Sequence, residues 1–392
     1  MKAIKCCTVS VCALALSAGV AHAQDSLTAA ITGGDATLDL RYRFEFVDQD
    51  GRDNNAEAST IRTRLGYRTG AYRGATGLIE FSDTRTLLVD NYGSADRPPI
   101  ADPELTVLNR AYLEYADLPE STARLGRQRI ALDNMRWIGN VGWRQQEQTF
   151  DAVSLTTRAL ADTTVTYAYL WQRNTITGAR QDQDSHLLNV SYGGLPGVDL
   201  TGYGYWLDFS DDAPGLSTQT IGIRLTGSHA LGNGLALGYA LEYANQQDAF
   251  DNPNDIDFNY LLAELGVTAT GITLKGSYEV LEGDGTNALQ TPLATLHAHN
   301  GWADLFLTTP ATGLVDRSLS ISGSPLPGVT LVAAYHDYVA DEGSASYGNE
   351  INLMANWQLR PDLLVGAKYA NYSADEFGVD TTKAWAYANY SF

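Results

Sequence analysis

The sequence predicts an all-β chain, a transmembrane antiparallel up-and-down β-barrel of about 18 strands. Three observations carry that prediction. The chain opens on an export-type segment, its body alternates apolar and polar residues in short runs, and it ends on an aromatic-terminated alternating strand.

The first residues, MKAIKCCTVSVCALALSAGVAHAQD, contain the three parts of a secretory signal. Lys2 and Lys5 form the positive region, Thr8 to Val20 the apolar stretch, and Ala21-His22-Ala23 the small-x-small cleavage site. The apolar run falls short of the ~20 residues that a membrane helix requires. Residues 1–23 are therefore expected to be a cleaved signal peptide, leaving 24–392 as the barrel domain. Cys6, Cys7 and Cys12 would leave with it, removing any thiol from the mature chain. Disulfides, thiolate zinc sites and cysteine nucleophiles would then be excluded. The loss of two lysines would shift the formal charge from −20 to −22.

No later stretch is apolar enough for a membrane helix, which alone leaves a soluble protein and a barrel both open, because barrels hide their hydrophobicity in alternation. The C-terminus discriminates. Positions 384, 386, 388, 390 and 392 are all apolar, ending on Tyr390 and Phe392. This pattern resembles the terminal strand by which outer-membrane barrels are recognised and inserted. The expected location is the Gram-negative outer membrane, among its lipid and lipopolysaccharide. The barrel-assembly machinery would engage the strand ending at Phe392.

The body supports the same reading. In 38–46, Leu38, Leu40, Tyr42, Phe44 and Phe46 occupy one parity, and Asp39, Arg41, Arg43 and Glu45 the other. Strand side chains point to opposite faces in turn, so one face would meet lipid and the other a lumen. Ile61, Thr63, Leu65 and Tyr67 split in the same way from Arg62, Arg64 and Arg68. Leu235, Leu237, Tyr239, Leu241 and Tyr243 oppose small residues and Glu242, and Ile351, Leu353 and Trp357 oppose Asn352, Asn356 and Gln358. Tyr and Trp near segment ends fit the two membrane surfaces.

Connections alternate in length. Tight, turn-rich links fall at 69–74, 117–121, 160–163, 193–198, 231–235, 269–272, 323–328 and 360–363. Longer polar links fall near 48–57, 86–103, 134–145, 174–184, 210–217, 246–256, 283–312, 340–346 and 374–380. Eight short and nine long links join eighteen strands. An even count keeps both termini on the side of the short turns.

Charge is distributed unevenly. Of 21 arginines, 18 lie between Arg41 and Arg180. Residues 24–180 carry a net −3, and residues 181–392 a net −19. The acidity of the second part is expected mainly in outward loops such as 248–257 and 341–342, saying little about a channel. Such loops would stay solvated and could hold divalent ions that bridge lipopolysaccharide.

The arginines bear on the lumen. Arg41, Arg43, Arg62 and Arg64 sit on the polar parity of clear strands; Arg110 fits the same side, as do Arg127 and Arg129 on a strand expected over 122–132. A lipid-facing arginine near mid-membrane would cost about 2–4 kcal/mol. Glu45, Glu80 and Glu114 are candidate partners, because a guanidinium stays charged and presents a planar fork to carboxylates. Two readings stay open: a paired ladder that rigidifies the wall, or a positive constriction that selects anions.

The segment LGRQRIALDNMRWIGNVGWRQQEQTFDAVSL, 125–155, resembles the central segment of the alginate export family of outer-membrane porins. ASTIRTRLGY at 58–67 and ADPELTVLNRAYLEY at 101–115 are also similar to that family. The resemblance implies an eighteen-strand barrel with an electropositive, arginine-lined conduit through which an acidic polysaccharide could leave the cell. By motif position it implies Arg127 and Arg144 as pore residues, with Glu147 and Asp151 as counter-charges. Gly139, Gly142 and Trp143 would shape an inward loop that narrows the opening.

Other chemistry has weaker support. His297-Ala-His299 lacks matching acidic spacing for a metal, and DNPNDID at 251–257 lacks the glycine and terminal Glu of a calcium loop. No nucleophile–base set or phosphate loop stands out, so no catalytic residue and no cofactor is expected. Acidity and strand-period aromatics argue against nucleic acid. The expected function is passive passage of hydrated anionic solutes. A general diffusion porin with little selectivity is the alternative, and a barrel enzyme or adhesin the reading from another class.

Overall fold

A computed structural model describes residues 26–209 and 212–392. The expected signal peptide and the three cysteines lie outside the described residues. Eighteen strands run β1 (Asp35–Gln49), β2 (Ala56–Arg68), β3 (Ala75–Asn91), β4 (Leu105–Leu118), β5 (Ser121–Gln128) and β6 (Thr149–Leu160). They continue as β7 (Thr163–Asn174), β8 (Arg180–Leu195), β9 (Val198–Leu207), β10 (Thr218–Gly232), β11 (Leu235–Asp248) and β12 (Asp257–Ala269). The last six are β13 (Ile272–Leu281), β14 (Leu314–Leu326), β15 (Val329–Val339), β16 (Ser346–Arg360), β17 (Leu363–Ala374) and β18 (Thr381–Ser391).

Each strand pairs antiparallel with its sequence neighbours, and β1 pairs with β18 from Asp39↔Ser391 to Gln49↔Thr381. The sheet is thus closed and leaves no edge, so every strand finds its ladder partners within the wall. Eight short and nine long connections alternate as the sequence indicated, although β3 runs on to Asn91, β8 starts at Arg180, and the link expected near 134–145 spans 129–148 because β5 ends at Gln128.

Alternation explains the wall. Leu65, Leu113, Leu241, Leu265, Leu319 and Leu353 are exposed on the outer surface, while their neighbours of opposite parity point inward. Arg43, Glu45, Arg62 and Arg64 are buried inside the barrel. A short helix α1 (Leu27–Thr32), capped by Ser26 accepting from the Ala29 N–H at 3.1 Å, precedes the barrel. Six residues fall below what periodicity can reveal. The helix rests on the β2–β3 turn, where the Gly70 N–H donates to the Ala30 carbonyl at 2.9 Å.

Two sequence expectations need correction. The inner face is not simply polar: Phe150, Leu170, Tyr205, Tyr260, Phe306, Tyr338 and Tyr372 are buried in one interior cluster. The cause is that links 129–148 and 282–313 fold into the barrel, carrying Trp137, Ile138, Leu289 and Leu293 against the wall. The acidity of the second part is not confined to loops either. Glu242, Glu279, Asp316 and Glu350 are buried on the inner faces of β11, β13, β14 and β16.

Ile223 projects outward midway along β10. Ile223→Arg should lower the stability of the barrel refolded into vesicles by about 2–4 kcal/mol, measured by urea titration. An unchanged midpoint would contradict the assignment of this face to lipid.

Candidate functional site

The site begins with a cross-strand conflict. In the β1–β2 register Arg41 lies opposite Arg62, and Arg64 lies opposite Asp39. Like charges directly opposite one another are destabilising, so these guanidinium groups need acceptors beyond the wall. The inward link 129–148 supplies them. Arg41 Nη1 donates to the carbonyls of Gly142, Trp143 and Arg144 at 3.0, 3.0 and 3.1 Å. Arg43 donates to the Trp143 carbonyl, and Arg62 and Arg64 reach the Gln145 carbonyl at 3.3 and 3.4 Å. Four wall arginines therefore hold four consecutive carbonyls, 142–145.

The link's side chains fix the other side of the same segment. Gln145 Nε2 donates to Thr60 Oγ1 at 2.9 Å, and the Gln145 N–H donates to Asp102 Oδ1 at 2.7 Å. Gln146 Nε2 donates to Thr84 Oγ1 and the Leu105 carbonyl, both at 3.0 Å. Gln148 Nε2 donates to the Gly139 and Leu293 carbonyls at 2.7 and 2.9 Å. Burial of the run Gln145-Gln146-Glu147-Gln148 is offset by these partners, with the Gln145 and Gln146 Oε1 atoms left unbonded.

Carboxylates complete the network, with some partners other than those expected. Arg127 meets Asp151 through two bonds, at 2.7 and 2.8 Å. Arg110 forks onto Glu80 at 2.9 and 2.5 Å. Arg144, expected near Glu147 and Asp151, instead bonds Glu45 at 3.0 Å and Asp304 at 3.0 Å. Glu147 pairs with Arg64 at 3.4 Å and Arg129 at 2.6 Å. Glu114 serves Arg68 and Arg124, both at 2.6 Å, rather than the arginines named as candidates. Arg129 is not on a strand: β5 stops at Gln128, and Ile130 turns inward to be buried. Burial opposes ionisation of the Glu147 carboxyl, but the guanidinium groups of Arg64 and Arg129 outweigh it and hold its pKa below the usual range.

The loop's shape comes from close packing. A Cβ at Gly139 would strike Thr295 Oγ1 of the second inward link, so glycine is required there. Gly142 differs from expectation, since a Cβ there meets nothing nearer than 3.7 Å and its φ is ordinary. The left-handed positions are Asp133, Met135 and Val141, with φ of 51°, 63° and 52°. Such conformations cost about 1–3 kcal/mol each and persist only where the surroundings over-determine them.

Trp143 stacks on His297 with ring centroids 4.7 Å apart and stands edge-on to Trp385 and Tyr387. Lys368 Nζ lies 4.2 Å from the Trp143 ring centroid and 3.7 Å from that of Trp302, a cation–π cage. It donates to His297 Nε2 at 2.8 Å, which makes Nδ1 the protonated nitrogen facing Asp304 at 2.7 Å. Burial pushes the His297 pKa down to about 3, so the ring is neutral at pH 7. Among the described residues, no group of three or more His, Cys, Asp or Glu is placed to hold a metal.

Sequence reasoning did not find Asp102, Asp304, His297, Lys368 and Lys383 as members of this network. Asp102 lies inside the quoted segment 101–115, yet loop position alone did not mark it. Arg173 was also missed. A register shift between Leu170 and Gln172 breaks the parity on β7 and turns its guanidinium onto Gln148 and Gln181, at 2.5 and 3.0 Å.

Residues 34–249, more than half of the chain, match the family model described as Alginate export. The chain belongs to the alginate export family. Solved structures similar to this family member include outer-membrane porin barrels. Pseudomonas aeruginosa OccD3 (OpdP) superposes with a TM-score of 0.75 at 16% identity, covering 93% of this chain and 92% of that one. Acinetobacter baumannii OccAB4 gives 0.73 at 13% identity, covering 92% and 98%. Pseudomonas aeruginosa OpdK, solved with vanillate, gives 0.71 at 14% identity, covering 91% and 98%. At such identities the likeness is one of fold. No curated protein matches the chain significantly.

Two outcomes are expected of this site. Arg41→Met should leave the Gly142 and Arg144 carbonyls without their guanidinium donor, Trp143 keeping Arg43, a cost of about 1–3 kcal/mol per buried group. Backbone amides of 144–148 should then exchange with deuterium at least about tenfold faster, and unchanged protection would contradict the arginine anchor. For His297 the sign is that of a depressed pKa: the stability it contributes is full above about pH 6.5 and is lost as pH falls toward 3. Imidazole NMR should show it neutral at pH 5, and titration near 6.5 would contradict its burial.

Proposed function

We propose that the chain is a passive outer-membrane channel of a Gram-negative envelope, with an arginine-lined interior that favours hydrated anions. Acidic sugars and uronate polysaccharide are the solute classes. The observation behind this reading is the charge balance around the inward link. Arg41, Arg43, Arg62, Arg64, Arg110, Arg127, Arg129 and Arg144 gather there with Lys368 and Lys383. Their carboxylate neighbours are seven: Asp39, Glu45, Glu80, Asp102, Glu147, Asp151 and Asp304. Cations outnumber carboxylates, so pairing leaves a positive remainder. Arg173, outside that set, adds a further cation at the long-link end, where its hydrogen-bond partners are the neutral amides of Gln148 and Gln181.

The role is transport rather than catalysis. The OpdK structure solved with vanillate gives a carboxylate precedent on this fold. Insertion would proceed through the terminal strand, whose Phe392 N–H donates to the Leu38 carbonyl at 2.8 Å across the closing seam. Outer-membrane lipid and lipopolysaccharide would surround the wall.

A second reading, a general diffusion porin with little selectivity, is favoured by one observation. Seven of the eight arginines have a carboxylate within ion-pair distance, Arg41 being the exception. Reversal potentials across a KCl gradient in a planar bilayer separate the two. The wild type should prefer chloride, and Arg173→Gln and Arg129→Gln should each move the potential toward zero. Zero potential in the wild type favours the unselective porin; cation preference overturns the anion reading.

A further inference from the structure

Large side chains clad much of the lipid-facing wall; small outward residues interrupt them at Gly202 on β9, at Ala355, Ala367 and Ala386 across β16 to β18, and over β12 and β13. There the outward positions are Ala263 and Gly276, which lie in adjacent register rows. They floor an open groove of about 740 Å³ on the outer surface. Leu241, Leu265, Leu319, Tyr278 and Tyr335 rim it, each about half exposed.

One end of this groove is charged. Arg317 and Asp337 lie on the same outward parity as Leu319 and Tyr335, in the register row of Tyr278. Arg317 is the fourth residue of β14, at the end from which the long link 282–313 enters. Its side chain is 55% exposed, and its one contact with Asp337 is long, at 3.5 Å. So weak a pair leaves most of the guanidinium donors directed at whatever surrounds the barrel. Tyr278 and Tyr335 beside it mark the level where aromatic residues meet the headgroups. A second surface groove, over Gly77 and Ile79, has no charged residue in its lining. Of these two grooves, the first alone joins an apolar slot to a cation at headgroup level.

We propose that this groove binds a phosphorylated glycolipid of the outer leaflet, with an acyl chain along Gly276 and Ala263 and a phosphate on Arg317. The match is one of shape and charge: an alkyl chain fills the slot where the wall lacks side chains, and a phosphate takes the free guanidinium edge. Asp337 keeps the guanidinium raised toward the headgroups without consuming it. The proposal rests on the outer-membrane reading given above.

Native mass spectrometry of the detergent-solubilised barrel tests it, with bisphosphorylated lipid A, dephosphorylated lipid A and phosphatidylethanolamine as separate probes. A single lipid A adduct should survive on the wild type and fall about tenfold for Arg317→Ala, as loss of a charged hydrogen bond implies. Gly276→Leu should remove the adduct of either lipid A form, because a Cβ there meets only the Ser318 carbonyl at 4.0 Å and the added chain fills the slot without disturbing the wall. Equal retention by wild type and both variants, or by lipid A and phosphatidylethanolamine, overturns the site. Conductance is recorded on the same preparations. A barrel that conducts without retaining lipid A loses only this site, whereas one that binds lipid A but conducts nothing loses the channel reading instead.

Discussion

The interior of this barrel depends on one arrangement: four wall guanidinium groups donating to the carbonyls of residues 142–145. A loop drawn into a barrel brings backbone acceptors out of water, and each one left unpaired costs about 1–3 kcal/mol. Arg41, Arg43, Arg62 and Arg64 solve that problem and, by the same bonds, their own mutual repulsion across β1 and β2. Once those carbonyls are fixed, Trp143 has one place to go, against His297, and the second inward link follows it. The Gly139 N–H to the Leu293 carbonyl, at 2.8 Å, joins the two links directly.

Electrostatics here serve geometry before stability. Buried ion pairs repay their desolvation only when hydrogen bonding is nearly complete. Most arginines in this network meet that condition through a mixture of carboxylates, amides and backbone carbonyls. The mixture matters, since a carbonyl satisfies a guanidinium without cancelling its charge. A loop held by arginine-to-carbonyl bonds therefore keeps more positive potential than one held by ion pairs alone. Across the barrel the balance reverses, with Glu242, Glu279, Asp316 and Glu350 on the inner faces of later strands. Glu242 and Glu279 pair with Arg224 and Arg136 and also accept from Trp137, Tyr203, Tyr260 and Asn300. Asp316 meets His336, and Glu350 accepts from the Trp302 and Ala303 N–H groups.

What the sequence revealed was the wall. Period-two alternation in 38–46 or 235–243 is a local signal, and turn chemistry at 69–74 or 231–235 is another, so strand number and link lengths were readable. Pairings across the interior were not. Arg144 finds Asp304 at a separation of 160 residues, and Lys368 finds His297 at 71, distances at which no local pattern operates. Parity also fails where the ladder slips: Arg173 faces inward because of the irregularity at Leu170–Gln172. Glycine misled in one place and informed in another. Gly139 is forced by Thr295, while the left-handed turn at 141 is taken by valine, a residue no turn rule would choose.

The closing pair of strands gives the network a temporal meaning as well. Arg144 joins Glu45 on β1 to Asp304 in the second inward link, and Lys383 on β18 reaches the same Asp304 at 3.1 Å. The first and last strands of the barrel thus share one buried carboxylate cluster on the inside of their seam. The Lys383–Asp304 bond forms only once β18 has been made and brought beside β1, whereas the two Arg144 bonds do not involve β18. Closure of the cylinder therefore adds an anchor to the second inward link that the open sheet lacks. A chain truncated before Lys383 would lose more than a strand: Asp304 would also lose its ammonium partner from the far side of the seam.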